Sequence, residues 1–225
     1  MKELSGYPPG TIVITSASLA RFTEFSMSLL KLQVPEGTRL IWKRGVEIAL
    51  QLNDGIRNMY GAWVWILGDD HTFDPDLLLQ LLDRQVDVIV PMVPSRSLPF
   101  RPVIMHGPYH EQMKVYHWDE IKGRGLMTLP PRDYIGTAGM LIQKPVLDAI
   151  GDPWFQVGKL NDERLNEDLW LCDQIHKLGY SIHLDRDHPM GHIGVMEVYP
   201  EHRDDGGFDV ALRQNKKQLL ITQLA

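Results

Sequence analysis

The chain has 225 residues and a mass of 25.8 kDa, which is enough for one well-buried α/β domain. Apolar residues make up 44% and charged residues 23%, as is typical of a folded globular protein. The net charge of −6 and the pI near 5.8 argue against a broad surface for nonspecific nucleic-acid binding.

Neither a secretion signal nor an apolar run of about eighteen residues is found, so we expect no integral membrane association. The single cysteine, Cys172, cannot form an intrachain disulfide. It lies inside a helical pattern, and we interpret it as a buried structural thiol rather than a nucleophile. These features together predict a cytoplasmic protein.

Strands and helices alternate over the first 93 residues. Residues 11–15 (TIVIT) predict a buried first strand that opens onto a loop, and residues 39–42 predict a second, short strand. Residues 46–59 have the apolar spacing of an amphipathic helix, and residues 62–67 (AWVWIL) predict a central strand. This alternation predicts an α/β fold with a mostly parallel central sheet flanked by helices, whose ligands bind beyond the carboxyl ends of the strands.

The next predicted elements complete this α/β pattern. A helix that starts at Asp74 and Pro75 precedes a strand at 86–90, and further strands are predicted at 134–142 and 181–184. Helices are predicted at 145–150 and at 167–178, the second capped by Asn166 and ended by Gly179, and an amphipathic helix is predicted from Asp209 onward.

Residues 94–133 interrupt the alternation and predict a loop-rich insertion. Basic residues of this segment include Arg96, Arg101, Lys122, Arg124 and Arg132. They could hold an anionic substrate or could be a solvated surface.

Four residues, Gly68-Asp69-Asp70-His71, follow directly on the strand at 62–67. Their side chains therefore project at the carboxyl edge of the sheet, where a ligand would lie. Two carboxylates with an imidazole suit Mn²⁺ or Mg²⁺ and leave coordination positions open for phosphate oxygens. An acidic turn in which Asp70 only caps a helix is the alternative.

A second acidic cluster, Asn166-Glu167-Asp168, lies at the start of the helix predicted at 167–178. A helix N-terminus favours carboxylates, so the cluster could serve charge complementation alone. It could instead keep one carboxylate ionised, ready to accept a proton from an attacking hydroxyl.

His192 lies between two glycines, which would let a ligand approach and leave the imidazole available as a metal ligand. A structural histidine is the alternative. His183 and His188 are weaker candidates. The histidines of the insertion lack metal-like spacing, and we interpret them as loop residues that could touch an acceptor: His106, His110 and His117.

Four blocks of sequence together resemble a glycosyltransferase of the GT-A fold, closest to the family 2-like enzymes of bacteria and their phages. The blocks are WVWILGDDHTFDPDLLLQLL (63–82), VDVIVPMV (86–93), IGTAGMLIQKPVLDAIGDPWF (135–155) and NEDLWLCDQIHKLGYSIHLDRDHPMGHIG (166–194). The resemblance implies a single GT-A (Rossmann-like) domain over 1–225. Its nucleotide-sugar half would span 11–93, its acceptor-side half 94–195, and its C-terminal tail 196–225.

The resemblance also implies a metal-dependent enzyme that moves a sugar from a UDP- or GDP-sugar to an acceptor hydroxyl. Family members bind the ribose and the metal through an Asp-x-Asp run, in which Gly68 replaces the first Asp here. The metal role therefore falls to Asp70, with Asp69, His71 and His192 as partners, and the metal would be Mn²⁺ or Mg²⁺.

The remaining implied roles concern catalysis and the donor. By resemblance Asp168 is the catalytic base of an inverting transfer and Glu167 contacts the acceptor, although an Asp-x-His pair at Asp69 and His71 also occurs in retaining enzymes. The implied donor contacts are Thr15, Ser16, Ala17, Arg44, Asn53, Arg57 and Asp69. The acceptor stays open among a glycan, a lipid-linked glycan, a protein and modified DNA.

Two other functions stay open. A nucleotidyltransferase acting on a sugar phosphate would need a glycine-rich basic loop after the first strand. Residues 15–25 (TSASLARFTEF) contain no glycine and only one basic residue, Arg21. A noncatalytic relative that binds nucleotide sugars is the second alternative, because Gly68 replaces a usual site residue.

Overall fold

The fold is known from a computed structural model, which describes residues 1–16, 22–45, 47–107, 114–160, 163–195, 197–202, 204, 208–214 and 217–221. The elements of the first 93 residues are β1 (Lys2–Leu4), β2 (Thr11–Ser16), α1 (Thr23–Lys31), β3 (Gln33–Pro35), β4 (Arg39–Arg44), α2 (Ile48–Arg57), β5 (Trp63–Gly68), β6 (His71–Thr72), α3 (Leu77–Asp83) and β7 (Val88–Pro91).

The later elements are β8 (Ile104–Met105), a 3-10 helix (Trp118–Ile121), β9 (Leu126–Thr128), β10 (Tyr134–Ile135), β11 (Leu141–Gln143), α4 (Lys144–Ile150), β12 (Gly158–Leu160), β13 (Glu163–Leu165), α5 (Glu167–Lys177), β14 (His183–Asp185), β15 (Gly191–His192), β16 (Glu197–His202), β17 (Phe208–Gln214) and β18 (Lys217–Ile221). Among the described residues, no helix is long and apolar enough to cross a lipid bilayer.

The centre of the fold is a seven-stranded sheet in the order β4-β2-β5-β11-β7-β14-β9. Strands β4, β2 and β5 are parallel neighbours, and β7 and β14 form a second parallel pair. Strand β11 runs antiparallel between β5 and β7, and β9 runs antiparallel at the edge. The predicted α/β fold with a mostly parallel sheet is confirmed.

Apolar side chains on both faces of the sheet explain why its central strands are continuous hydrophobic runs. In β5, Val64 and Ile66 pack into one core, whereas Trp63, Trp65 and Leu67 pack into the core on the opposite face. All five side chains are buried. A strand covered on both faces needs apolar residues at every position, because alternate side chains point to opposite faces.

The predicted buried thiol is confirmed. Cys172 lies on α5 with no exposed surface, and its Sγ donates a hydrogen bond of 3.4 Å to the carbonyl of Ile135. Burial raises the pKa of the thiol to about 12. A thiol held in its protonated form by an apolar core is a poor nucleophile.

Several helix starts differ from the predictions. Helix α2 begins at Ile48 rather than at residue 46, which is outside the described residues, and α3 has Asp76 rather than Asp74 as its N-cap residue. Helix α1 was not predicted. Its N-cap residue, Phe22, makes no side-chain cap hydrogen bond, so the usual sequence signal for a helix start is absent there.

The single strand predicted at 134–142 is wrong in its extent. The structure divides this segment into β10 and β11, separated by a turn in which Gly139 has a φ of +77°. The amide of Met140 donates to the carbonyl of Thr137 at 3.0 Å across that turn. Small residues at 136–139 therefore form a bend between two short strands rather than a continuous strand.

The amphipathic helix predicted from Asp209 is also wrong. Strands β16, β17 and β18 form an antiparallel three-stranded sheet in this part of the chain. In β17 the sequence FDVALRQ alternates Phe208, Val210 and Leu212 with Asp209, Ala211 and Arg213. This period of two residues is typical of a strand and outweighs the helical spacing.

Candidate functional site

A cavity of about 590 Å³ opens where β2 and β5 end. Because these strands are parallel neighbours, the residues at their carboxyl ends meet at one edge of the sheet, as the fold class predicts for a ligand site. The lining residues are Thr15, Phe22, Ile48, Leu52, Ile66, Gly68, Asp69, Asp70, His71, Arg96, Thr137, Ala138, Glu167, Asp168 and His192.

Two very short strands unite distant parts of the chain at this cavity. Strand β15 pairs antiparallel with β6, so that His192 lies opposite His71 in the ladder. The two imidazole rings stack with their centroids 4.4 Å apart. The amide of Ile193 adds a hydrogen bond of 2.7 Å to the carbonyl of Asp70. The ladder thus puts His71 and His192, which are more than one hundred residues apart in the sequence, in direct contact.

Asp70, His71 and His192 form a cluster suited to a metal ion. Each offers one ligand atom, and these three atoms all lie within 4.8 Å of one another. One carboxylate and two imidazoles are a ligand set used for Mn²⁺ and related divalent ions, and three protein ligands leave positions open for a substrate. The structure thus brings together three of the four predicted metal ligands, and the fourth, Asp69, is not part of this cluster among the described residues.

The hydrogen bonding of His192 fits this ligand role. Its Nδ1 lies 3.0 Å from the carbonyl oxygen of Pro94, which can only accept, so Nδ1 is the donor. The Nε2 of the neutral ring then carries a lone pair and faces the Oδ2 of Asp70 at 3.3 Å. Two lone-pair atoms at this distance need a proton or a cation between them.

His71 faces Asp70 through its other nitrogen. Its Nδ1 lies 2.9 Å from the Oδ1 of Asp70 and 3.3 Å from the carbonyl of Gly68, and both of these oxygens are acceptors. Its Nε2 is buried and has no hydrogen-bond partner. The nitrogen of His71 that faces Asp70 is Nδ1, so a cation bound to both residues would take the place of the hydrogen of this bond. The residues present therefore fit a bound divalent cation.

Asp70 is held in its ionised form. Burial alone would raise the pKa of its carboxyl, but the contacts with His192 and His71 outweigh burial and hold the pKa well below its usual range. The guanidinium of Arg96 also contacts Oδ2 of Asp70. Asp70 is thus ionised at neutral pH, with the guanidinium of Arg96 against it.

Gly68 provides the space that this arrangement requires. A Cβ at this position would lie 2.8 Å from Oδ1 of Asp70 and 3.0 Å from Nδ1 of His71. Both distances are shorter than an ordinary van der Waals contact, so a side chain would displace the pair. The glycine at this position is therefore coupled to the positions of Asp70 and His71.

The second acidic cluster lies on another side of the same cavity. The side chain of Asn166 accepts a hydrogen bond of 3.0 Å from the amide of Leu169, which confirms the predicted cap of α5. Glu167 and Asp168 occupy the first turn of that helix and line the cavity. The cap fixes the direction in which both carboxylates leave the helix.

Asp168 has the electrostatics of a proton acceptor. Burial raises the pKa of its carboxyl to about 6, and the charge of Glu167 adds to this shift, whereas hydrogen bonds from Thr137 oppose it. The hydroxyl of Thr137 donates to Oδ1 of Asp168 at 2.5 Å. A carboxylate with a pKa near neutrality is well matched to general-base catalysis.

The implied donor contacts divide into two groups. Thr15 and Asp69 line the cavity, and Oδ2 of Asp69 is buried without a hydrogen-bond partner. Ser16 is buried and does not line the cavity, and its hydroxyl accepts a hydrogen bond of 2.8 Å from Nε1 of Trp42. Ala17 lies outside the described residues.

The other three implied donor residues do not line the cavity. Asn53 is buried, and its amide makes hydrogen bonds of 2.7 and 2.9 Å to the backbone of Phe155. Arg57 forms an exposed pair with Asp152, and Arg44 is exposed at the end of β4. Asn53 and Arg57 have structural partners instead, so we leave all three out of the site.

The remaining histidines with described side chains have structural partners. His188 pairs with Asp185 at 3.0 Å, and His183 lies 3.1 Å from the hydroxyl of Thr128. His106 contacts Glu120 at 2.8 Å, and His117 caps the 3-10 helix. His110 is outside the described residues. Among the histidines whose side chains are described, only His71 and His192 line the cavity.

Sequence reasoning missed two polar groups of the cavity. Arg96 was noted only as one of several basic residues, and nothing in its segment indicated contact with Asp70. Thr137 lies in IGTAGM, a stretch whose small residues indicated close approach without indicating a partner for Asp168. An apolar wall of Phe22, Ile48 and Leu52 was also not predicted.

Neither a protein-family model nor a curated protein matches this sequence. Solved structures are similar in fold. A197 from STIV matches over 100% of both chains, with a TM-score of 0.50 and 15% identity. The structure of GalNAc-T7 with UDP, GalNAc and Mn²⁺ matches 81% of this chain, with a TM-score of 0.56 and 11% identity.

A third match is TarS 1-349 from S. aureus, over 86% of this chain, with a TM-score of 0.50 and 12% identity. The chain spans 43% of the GalNAc-T7 structure and 60% of the TarS structure. Identities this low show similarity of fold alone. The chain therefore has an α/β fold with a central mostly parallel sheet, similar to that of GT-A glycosyltransferases.

Proposed function

We propose that this protein is a metal-dependent glycosyltransferase that moves a sugar from a UDP- or GDP-sugar to an acceptor hydroxyl. One observation carries the proposal. A cluster suited to a divalent cation, Asp70 with His71 and His192, lines the same cavity as Asp168, whose pKa is near neutrality. The four sequence blocks that resemble family 2-like enzymes support the same function.

On the donor side, Asp70, His71 and His192 would hold Mn²⁺ or Mg²⁺, with Asp69 beside them. When bound, the cation would neutralise charge on a diphosphate leaving group. GalNAc-T7, which shares the fold, is described with UDP and Mn²⁺. The apolar wall of Phe22, Ile48 and Leu52 offers a surface on which a nucleobase and ribose would pack.

On the acceptor side, Asp168 would accept the proton of the attacking hydroxyl as the bond from that oxygen to the sugar forms. The bond from the sugar to the diphosphate breaks in the same displacement, which inverts the anomeric centre. Thr137 holds Oδ1 of Asp168 by a hydrogen bond, and the acceptor hydroxyl would approach this carboxylate from the cavity. Glu167, in the same turn of α5, would contact the acceptor.

Turnover of nucleotide sugars by the purified protein tests this proposal. The protein is incubated with a panel of UDP- and GDP-sugars, with Mn²⁺, Mg²⁺ or EDTA, and release of the nucleoside diphosphate is measured. We expect release from one donor class that requires metal and is lost in Asp70→Asn. The matched control is Asp148→Asn, which removes an exposed carboxylate on α4 outside the cavity.

Three outcomes would contradict the proposal. Metal-dependent binding of a nucleotide sugar without slow release of the diphosphate would indicate a noncatalytic relative. Release of pyrophosphate from a nucleoside triphosphate and a sugar phosphate would indicate a nucleotidyltransferase. Turnover that is equal in Asp70→Asn and Asp148→Asn would exclude Asp70 as a metal ligand.

A further inference from the structure

Arg96 is the basic group of a strongly acidic cavity. Four carboxylates line the cavity, and among the described lining residues Arg96 is the only arginine or lysine. Its guanidinium contacts Oδ2 of Asp70. The acidic side chains are Asp69, Asp70, Glu167 and Asp168. A diphosphate could not approach these four carboxylates without positive charge beside it.

The contact of Arg96 with Asp70 conflicts with metal binding. The same Oδ2 faces Nε2 of His192 at 3.3 Å, within the cluster of three ligand atoms. A divalent cation held there would bind the same oxygen, Oδ2 of Asp70, that now accepts the hydrogen bond from the guanidinium. The metal and the guanidinium would also repel each other at this short range. The two cations therefore compete for one carboxylate.

The loop that carries Arg96 is attached to the metal cluster. Pro94 and Pro102 form a β-bridge at its base, and the amide of Ser95 donates to the carbonyl of Arg101 at 2.7 Å. The carbonyl of Pro94 accepts the hydrogen bond from Nδ1 of His192. The backbone of Arg96 is thus fixed beside the cluster.

The side chain of Arg96 has room to change its partner. It is 56% exposed, whereas the side chain of Asp70 is 16% exposed. A long and half-exposed side chain on a fixed backbone can reach more than one anion in the cavity that it lines. Guanidinium groups bind phosphate oxygens through two parallel hydrogen bonds, so a diphosphate in this cavity would be a competing partner for Arg96.

We infer that Arg96 neutralises Asp70 until a nucleoside diphosphate group enters, and then moves to the diphosphate oxygens and leaves Asp70 to the metal. This inference rests on the proposed function. Binding of the metal and binding of the nucleotide then depend on each other. The metal displaces Arg96 from Asp70 and so makes it available to the nucleotide, and the nucleotide draws Arg96 away and so leaves Asp70 to the metal. By thermodynamic linkage, nucleotide must strengthen metal binding by the same factor by which metal strengthens nucleotide binding.

Binding measurements without turnover test this inference. Mn²⁺ alone is titrated into the wild-type chain and into Arg96→Gln by calorimetry, and UDP and GDP are then titrated in saturating Mn²⁺. We expect Arg96→Gln to bind Mn²⁺ alone about fivefold more tightly, which corresponds to about 1 kcal/mol for a partly exposed ion pair. We expect it to bind the preferred nucleotide at least about tenfold more weakly.

Arg101→Gln is the matched control, because Arg101 lies on the same loop but lines a different surface groove. It should leave both affinities unchanged. Thermal melting in EDTA checks that each variant is folded. Asp70→Asn locates the metal, since it should abolish Mn²⁺ binding if the metal lies at this cluster.

The outcomes separate this inference from the proposed function. Mn²⁺ binding that is lost in Asp70→Asn but unchanged or weakened in Arg96→Gln overturns the inference alone. Nucleotide binding that is equal in Arg96→Gln and Arg101→Gln also overturns it. Mn²⁺ binding that survives in Asp70→Asn, or is absent from the wild-type chain even in saturating UDP or GDP, overturns the proposed metal site and the inference with it.

Discussion

The hydroxyl of Thr137 donates a hydrogen bond of 2.5 Å to Oδ1 of Asp168. This bond joins the bend between β10 and β11 to the first turn of α5. Thr137 is itself buried. The bond stabilises the ionised carboxylate, and it acts against burial, which raises the pKa of Asp168 to about 6. The two residues therefore set the pH range in which Asp168 can accept a proton.

We expect activity to rise with pH through about 6, because Asp168 must be ionised to act as a base. Thr137→Val removes the hydrogen bond to the carboxylate and should move the midpoint of this rise upward by about one pH unit. The measurement is the pH dependence of kcat/KM. Thr137→Ser keeps the hydroxyl and should restore the wild-type midpoint, so a shift of equal size in both variants would assign Thr137 a purely structural role.

Asp168→Asn should lower turnover by about a hundredfold to ten-thousandfold, the usual contribution of a general base, and should leave nucleotide binding intact. The same change should stabilise the fold. The pKa of Asp168 is raised in the folded chain, so the charged carboxylate opposes folding. The free-energy cost of this charge is absent below about pH 4, the pKa of the unfolded chain, and is complete above about pH 6.

Melting temperatures of the wild-type chain and of Asp168→Asn therefore make a second measurement, independent of activity. The variant should melt higher at pH 7.5, and the difference should shrink toward pH 4. If the melting temperature of the variant exceeded that of the wild-type chain by the same amount at both pH values, ionisation of Asp168 would not oppose folding.

The sequence predicted the part of the site that depends on local order along the chain. Asp70 and His71 follow a continuous apolar run, and such a run between glycines is typical of a buried parallel strand whose end meets a ligand. Asn166 before an acidic first turn is typical of a helix start. These signals need no knowledge of distant contacts.

The parts that the sequence missed depend on contacts between distant segments. Arg96 contacts Asp70 because a β-bridge closes its loop beside His192, and no pattern in the sequence indicates that bridge. Asn53 resembled a ligand-facing residue but binds the backbone of Phe155, which no local pattern indicates. Helix α1 has no side-chain cap.

Gly68→Asp, which introduces the residue usual in the resembling family, should weaken Mn²⁺ binding rather than restore it. Its Cβ would lie 2.8 Å from Oδ1 of Asp70 and would push the carboxylate away from the histidines. Gly68→Ala should have the same effect in a smaller degree. Calorimetric titration with Mn²⁺ measures both.

Gly45→Ala is the control for these glycine variants, because the nearest atom to its added Cβ is 3.9 Å away. It should bind Mn²⁺ as the wild-type chain does. Tighter Mn²⁺ binding by Gly68→Asp would mean that the family's usual carboxylate can join the cluster, and that Gly68 is not required by the positions of Asp70 and His71.

Asn166→Ala should cost about 1 kcal/mol of folding free energy, since it removes the side-chain acceptor for the amide of Leu169 at the start of α5. Chemical denaturation measures this loss. Because Glu167 and Asp168 lie in the turn that the cap orders, their carboxylates should also be less well positioned, and kcat should fall more than the affinity for nucleotide. Asn166→Ser keeps a cap and should retain most of both properties. If Asn166→Ala lost stability but kept the wild-type kcat, the first turn of α5 would not position the catalytic base.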